Sequence, residues 1–205
     1  MIIMKMRFTS QEVIHLIVAF IVISLGFSIT ITGRNFNSLT VVLPIVMIGA
    51  GLGFIFHEIG HKLSAIHYGY WVEFRMWPTG LVISLISSFA GILIAIPGAV
   101  NIYGQLSDRE NGVISVCGPI VNLILALIFI IISHIYLPVD FYTASVIYLI
   151  CNLGYQINAY LAFFNLLPIG MLDGAKVVRW SPLVWIVTIV IAGILSFGHM
   201  INLTF

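Results

Sequence analysis

The chain has 205 residues, a length that suits one domain or at most two. Its apolar fraction is 61% and its charged fraction is 7%, whereas soluble domains have about 45–50% and about 25%. So few charges cannot cover a water-exposed surface, and the composition therefore indicates an integral membrane protein in contact with a lipid bilayer. The net charge of +1 excludes the basic face that nucleic-acid binding requires, and the two cysteines lack the C-x-x-C spacing of a redox pair.

Six stretches contain no Asp, Glu, Lys or Arg and are long enough to cross about 30 Å of hydrocarbon, which takes roughly 17–25 helical residues. They are residues 13–32, 39–56, 81–100, 113–137, 141–167 and 183–205. They predict an all-α polytopic membrane protein with about five to six transmembrane helices. Because the connections are short, we expect a single integral membrane domain over residues 1–205, without an appended soluble domain. We expect the first stretch to be retained as a helix, since it lacks a small-x-small cleavage site.

The stretch 81–100 differs from the others because glycine, serine and proline interrupt it, and it follows an alternating aromatic segment, 70–77, that predicts a short β-like strand. If 81–100 spans the membrane, Lys62 and Arg75 lie opposite Lys176 and Arg179. If it re-enters and returns, seven basic residues share one side and only Arg34 lies opposite. The seven are Lys5, Arg7, Lys62, Arg75, Arg109, Lys176 and Arg179. The preference of Lys and Arg for cytoplasmic loops favours the re-entrant arrangement, with residues 101–111 in the cytoplasm.

The motif His57-Glu58-Ile-Gly-His61 lies at the end of the second apolar stretch. Residues four apart share one face of a helix, so the two imidazoles are side by side, within reach of one zinc ion. Glu58 lies beside the pair, where its carboxylate can act as general base toward a zinc-bound water. Two histidines do not complete a hydrolytic zinc site, which usually has three protein ligands and one open position for water.

Asp173 is the acid that the sequence favours as the third ligand. It follows Pro168 and Gly170 and precedes Gly174, and these residues break the helix as it leaves the membrane. On the re-entrant topology Asp173 falls on the same side as the two histidines. The other acids suit different places, namely the edges of spans, a polar loop, and a pairing with Arg75 in the case of Glu73. They are Glu12, Glu73, Asp108, Glu110 and Asp140.

Three motifs follow one another along the chain. They are H-E-x-x-H at residues 57–61, Gly118-Pro119-x-x-Asn122, and Asn165-x-x-Pro168-x-x-x-Leu172-Asp173-Gly174. Over about residues 49–178 this order resembles the site-2 protease family of intramembrane zinc metalloproteases. The resemblance implies a catalytic core over about residues 39–182 and one Zn²⁺ per chain held by His57, His61 and Asp173. It also implies that Glu58 is catalytic and that Asn165 polarises the scissile carbonyl or holds the substrate.

The same resemblance implies a zinc-dependent endopeptidase that cleaves the transmembrane helices of membrane-anchored substrate proteins by attack of a Glu-activated, zinc-bound water. We expect a multi-pass protein of the cell membrane whose active site lies toward the cytoplasmic side. Two other functions use the same residues: a metal transporter with these ligands as a transit site, and a membrane scaffold with an inactive site. The chain shows no internal repeat, and a transporter gives the glutamate of H-E-x-x-H no task, so the protease is favoured.

Several polar or small residues within the apolar stretches have two interpretations. Asn122 either hydrogen-bonds across the helix bundle or takes part in the active site. Three amides of the fifth stretch either join helices or line a water path, or they are catalytic groups, and the first interpretation is favoured; they are Asn152, Gln156 and Asn158. Three glycines before the zinc motif either are small residues for helix packing, which is favoured, or let the substrate approach; they are Gly49, Gly51 and Gly53.

Overall fold

The computed structural model describes residues 6–33, 35–135 and 141–198, which form eight α-helices, one π-helical turn and two strands. The helices are α1 (Ser10–Thr32), α2 (Phe36–Val46), α3 (Leu52–His67), α4 (Pro78–Ser88), α5 (Asp108–His134), α6 (Phe141–Asn165), α7 (Asp173–Trp180) and α8 (Pro182–Phe197). The π-helical turn Met47–Gly51 joins α2 to α3, and the strands are β1 (Trp71–Met76) and β2 (Gly98–Tyr103). Lys5, Arg34 and Asp140, which the sequence interpretation used, lie outside the described residues.

Four of the described helical segments are long and apolar enough to cross a membrane. They are α1, the continuous helix from α2 to α3, α5, and Thr143–Asn165 of α6. Helices α4 and α8 are apolar but shorter, and the predicted stretch 183–205 continues beyond α8 into residues outside the described part. Large apolar side chains are exposed on the outer faces, as at Val41, Ile86 and Leu183, which suits hydrocarbon better than water. The prediction of an all-α polytopic membrane protein is confirmed.

The chain between the two strands leaves a small sheet after β1 and returns to the same end of that sheet at β2. Strands β1 and β2 pair antiparallel, with Trp71 opposite Tyr103 and Met76 opposite Gly98. Between them α4 has 11 residues, which is about 16 Å and half of a hydrocarbon core, and the chain then returns without helix. Serine hydroxyls of α4 hold the returning segment, since Ser84 Oγ accepts the Ile96 N–H at 3.1 Å. This geometry is that of the re-entrant alternative.

The second apolar stretch forms a longer helix than its uncharged residues indicate. The uncharged stretch ends at Phe56, the last residue before the zinc motif, and α3 continues through the motif to His67. The continuation carries Glu58 and Lys62, and both are buried. Lys62 has its counter-charge Glu12 inside the bundle, so it does not end the helix, and for that reason the absence of charges locates the boundary poorly.

A buried ion pair joins α1, α3 and β1. Lys62 Nζ lies 2.6 Å from both carboxylate oxygens of Glu12, and the Phe74 N–H donates to Glu12 Oε1 at 3.0 Å. Side-chain exposure is 3% for Lys62 and 1% for Glu12. The sequence placed Glu12 at the edge of a span and did not predict the pair. Glu12 thus occupies the Phe74 N–H on the edge of β1 that faces away from β2, and this donor is not available to a further strand.

Candidate metal centre

Helix α3 and the short helix α7 form the candidate metal centre. His57 and His61 project from one face of α3, because they are four residues apart. Asp173 is the first residue of α7, after residues 166–172 have interrupted the helical path. A continuous α6 would place Asp173 about 12 Å beyond Asn165 along the helix axis. The break that the sequence predicts therefore allows the carboxylate to turn back toward the histidines.

The ligand atoms of His57, His61 and Asp173 converge. The two Nε2 atoms are 3.0 Å apart, and Asp173 Oδ2 lies 3.4 Å from His57 Nε2 and 3.1 Å from His61 Nε2. All three side chains are buried, and these atoms lie within 4.8 Å of one another. The three residues that the sequence predicts as ligands are thus brought together and could hold a metal ion.

The far side of each imidazole is hydrogen-bonded, and this determines which nitrogen faces the centre. His57 Nδ1 lies 2.6 Å from Asn122 Oδ1, and His61 Nδ1 lies 2.8 Å from the backbone oxygen of Ile114. Amide oxygens only accept hydrogen bonds, so each Nδ1 donates, and in a neutral imidazole the lone pair then lies on Nε2. Two such nitrogens and a carboxylate oxygen form the donor set of a divalent cation, and zinc fits it.

Helix α5 passes directly beside the two histidines because residue 118 is glycine. A β-carbon at Gly118 would lie 2.4 Å from His61 Nε2 and 2.7 Å from His57 Cε1, which is closer than such atoms pack. Asn122 lies one turn further along α5 and reaches His57. The G-P-x-x-N segment therefore has a physical role here. Gly118 allows α5 to pack against the two histidines, and Asn122 hydrogen-bonds to the candidate ligand His57.

Glu58 is buried on α3, and its Oε2 has no hydrogen-bond partner among the described residues. A buried carboxylate oxygen without a partner is costly unless water or a ligand reaches it. Glu58 lines a cavity of about 700 Å³, which His57, His61 and Asp173 line as well. The glutamate therefore faces the same space as the candidate ligands, with room for water or a substrate.

Asn165 lines this cavity from the end of α6. Its Nδ2 donates to the Leu161 carbonyl of its own helix at 2.9 Å, so its role beside a substrate stays a prediction.

Lys176, which the sequence interpretation did not single out as a site residue, also lines the cavity, and its Nζ lies 3.3 Å from Asp173 Oδ1. Its position three residues after Asp173 on one helix was the available signal. No sequence signal indicates the Ile114 carbonyl as a partner of His61, because a backbone oxygen is not specified by residue type.

Three other acids of the described chain have partners away from the metal centre. Glu73 pairs with Arg75, as the sequence predicts, and Glu12 pairs with Lys62. Glu110 forms a capping box with Ser107 at the start of α5, so the segment expected to be a polar loop is the first turn of that helix. Among the described residues, the one group of three metal-binding side chains is His57, His61 and Asp173.

Membrane-length helices around a buried His-His-Asp group define a class, a polytopic membrane protein with a candidate metal centre. A protein of Methanocaldococcus jannaschii that is provisionally named a zinc metalloprotease is 38% identical to this chain over 201 residues, which cover 97% of each chain. No protein-family model matches the chain, and no solved structure matches it. The chain belongs to the family of this zinc metalloprotease, and zinc is the metal that membership implies.

Proposed function

We propose that this chain is a zinc-dependent intramembrane endopeptidase of the site-2 protease type, with zinc held by His57, His61 and Asp173. One observation carries the proposal. Two imidazole lone pairs and a carboxylate oxygen converge beside an unpaired glutamate oxygen, and all of them line one buried cavity. Family membership supports the protease activity, and the membrane-length helices support cleavage within the bilayer.

The depth of the site supports cleavage below the membrane surface. His57 lies ten residues before His67, where α3 ends, and this separation is about 15 Å along the helix. The continuous helix Phe36–His67 has 32 residues, which is about 48 Å and longer than a hydrocarbon core of about 30 Å, so we place His57 inside the core and nearer the end of α3. A transmembrane substrate would therefore have to offer its peptide bond inside the bilayer, and we propose membrane-anchored proteins as the substrates.

Zinc at this site would supply Lewis acidity, which polarises a carbonyl oxygen and makes a water molecule more acidic. The Glu58 carboxylate accepts the proton of the attacking water, because Glu58 lines the cavity and its Oε2 has no other hydrogen-bond partner among the described residues. Glu58 then donates that proton to the amine that leaves. Asn165, at the cavity wall, holds the substrate or polarises the scissile carbonyl.

An extended substrate has one strand edge available beside the site. A peptide bond within a helix is shielded by internal hydrogen bonds, so the substrate has to unwind before it is cut. Every residue from 95 to 102 lines the cavity, which is expected for the edge of β2, because the two faces of a strand alternate. β1 occupies the other edge of β2, and Glu12 binds the outer edge of β1. We therefore propose that substrate pairs with β2.

We propose that the protein lies in the cell membrane with its active site toward the cytoplasm. The contacts of His57 and His61 with α5 show that α3 and α5 run antiparallel, so the end of α3 and the start of α5 share one side. Glu12 and Lys62 bring the start of α1 to this side too. The basic residues of the described chain belong to these segments, to β1 or to α7, which supports the orientation.

Metal analysis and a cleavage assay together test the proposed function. The purified chain is reconstituted in liposomes with a library of single-span proteins whose transmembrane segments are randomised and labelled at both ends. We expect one zinc per chain and cuts inside the segment that a chelator abolishes and added zinc restores. Zinc-loaded protein that transports metal across the liposome and cuts nothing would establish the transporter instead.

A further inference from the structure

Two asparagines that are fully buried in the helix bundle form a hydrogen-bonded chain to His57. Asn122 lies on α5 and Asn158 on α6, and both have 0% exposure. Asn122 Nδ2 lies 2.9 Å from Asn158 Oδ1, and Asn122 Oδ1 lies 2.6 Å from His57 Nδ1. The amides therefore connect α6 to the candidate ligand through α5.

The amide donors allow one direction of hydrogen bonding. Asn122 donates to the Gly53 carbonyl at 3.1 Å and to Asn158 Oδ1. Asn158 donates to the Gly49 carbonyl at 3.1 Å and to the Gly154 carbonyl at 2.8 Å. Both donors of each amide are thus used, and a flipped amide would set an oxygen against carbonyl oxygens. The oxygen of Asn122 is therefore the group that faces His57, and it can only accept.

The glycines before the zinc motif make room for this chain. A β-carbon at Gly53 would lie 2.3 Å from Asn158 Oδ1, so any larger residue would displace the amide. The carbonyl of Gly49 belongs to the π-helical turn between α2 and α3, and such turns interrupt the regular backbone pattern. Packing against α6 explains Gly49, whose β-carbon would lie 2.7 Å from Gly154 Cα, whereas Gly53 also leaves room for the Asn158 amide.

We propose that Asn122 and Asn158 act as a positioning relay, which keeps His57 protonated on Nδ1 and holds its Nε2 lone pair toward the metal. The proposal rests on the zinc ligands of the proposed function. His61 has no need of such a relay, because its Nδ1 is bound by the Ile114 carbonyl of the backbone. The two histidines thus differ, since the orientation of His57 depends on side chains that can be replaced. Asn122 and Asn158 are positioning residues and do not touch the metal.

The test measures the affinity for zinc by competition with a chelator, on the full chain in detergent. Asn122→Ala removes the acceptor of His57, and we expect the affinity to fall by about 10–100-fold, as for other partners of ligating histidines. Asn122→Asp keeps an oxygen toward His57 but loses both donors to the helices. We expect this variant to be less stable toward unfolding, yet to bind zinc within a few-fold of the parent.

Variants on α6 provide the second arm and the control. Asn158→Ala leaves the His57 contact in place but frees Asn122 to turn, so it should weaken zinc binding less than Asn122→Ala. Adding Asn158→Ala to Asn122→Ala should produce little further loss, because the two amides act in series. Gln156→Ala is the matched control, since Gln156 is exposed on the same helix and bonds to Asn152. Its zinc affinity should equal that of the parent.

The outcomes separate the relay from a purely structural role. Equal loss of zinc affinity in Asn122→Ala and Asn122→Asp would mean that the amides only join helices, and the relay would be wrong. Unchanged affinity in Asn122→Ala would also overturn it, as would a loss in Asn158→Ala that exceeds the loss in Asn122→Ala. A parent protein that binds no zinc would instead reject the ligand assignment of the proposed function.

Discussion

At the scale of single residues, the candidate ligands of the metal centre have defined partners, and Glu58 is the exception. Each histidine uses Nδ1 for a hydrogen bond and directs Nε2 toward the centre. Asp173 directs Oδ2 to the histidines and Oδ1 to Lys176. Within the described chain, Glu58 Oε2 has no such partner. The exception is the one group whose proposed task, accepting a proton from water, requires a free lone pair.

The assignment of Asp173 as a ligand can be tested by removing its carboxylate. Asp173→Ala leaves two imidazoles, and a hydrolytic zinc site usually requires three protein ligands, so we predict loss of most bound zinc together with activity. Elemental analysis of the purified variant measures the zinc content. Glu73→Ala is the control, because Glu73 is a buried acid that pairs with Arg75, and it should keep about one zinc per chain. Full zinc occupancy in Asp173→Ala would refute the assignment.

At the scale of helices and strands, the centre depends on contacts between segments that are distant in the chain. The His57–Asn122 contact joins residues 65 apart, and the Glu12–Lys62 pair joins residues 50 apart. The sequence predicted the face that His57 and His61 share and the break before Asp173, because helical spacing and Pro/Gly patterns are local signals. It could not predict which face of α5 meets α3, and for that reason the role of Asn122 stayed open.

The buried pair of Glu12 and Lys62 should contribute to stability and leave zinc binding intact. Glu12→Gln leaves the Lys62 ammonium buried without its counter-charge, which typically costs about 3–5 kcal/mol of unfolding free energy. Adding Lys62→Met to Glu12→Gln removes both charges and should restore most of that loss. Unfolding in detergent measures the difference. A single Glu12→Gln variant as stable as the parent would show that the pair does not hold α1, α3 and β1 together.

At the scale of the whole molecule, composition was sufficient for the membrane class and insufficient for the number of crossings. Uncharged stretches located α1, α5, α6 and the start of α8 within a few residues. Stretch 81–100 is as apolar as a span, but its glycine, serine and proline produce a short helix and a returning strand. The site-2 protease type, the membrane-anchored substrate and the single domain over 1–205 stay predictions.

The re-entrant arrangement predicts the side on which the loop between β2 and α5 lies. A cysteine at Gln105 should react with a membrane-impermeant thiol reagent from the same side as a cysteine at Arg7, before α1. A cysteine at Gly33, where α1 ends, should react from the opposite side. The parent, whose Cys117 and Cys151 lie within helices, gives the background. Labelling of positions 105 and 33 from one side would contradict the re-entrant topology.

If Glu58 is the general base beside bound zinc, the Glu58→Gln variant should bind the metal but cleave slowly. The substitution preserves size and hydrogen bonding but cannot accept the proton, and it leaves His57, His61 and Asp173 in place. General-base assistance is typically worth about 10²–10⁴ in rate. We predict a folded variant with the zinc content of the parent and cleavage of membrane substrate slower by at least that factor. A zinc-loaded Glu58→Gln variant that cuts the same substrate at nearly the parent rate would show that Glu58 is not the general base.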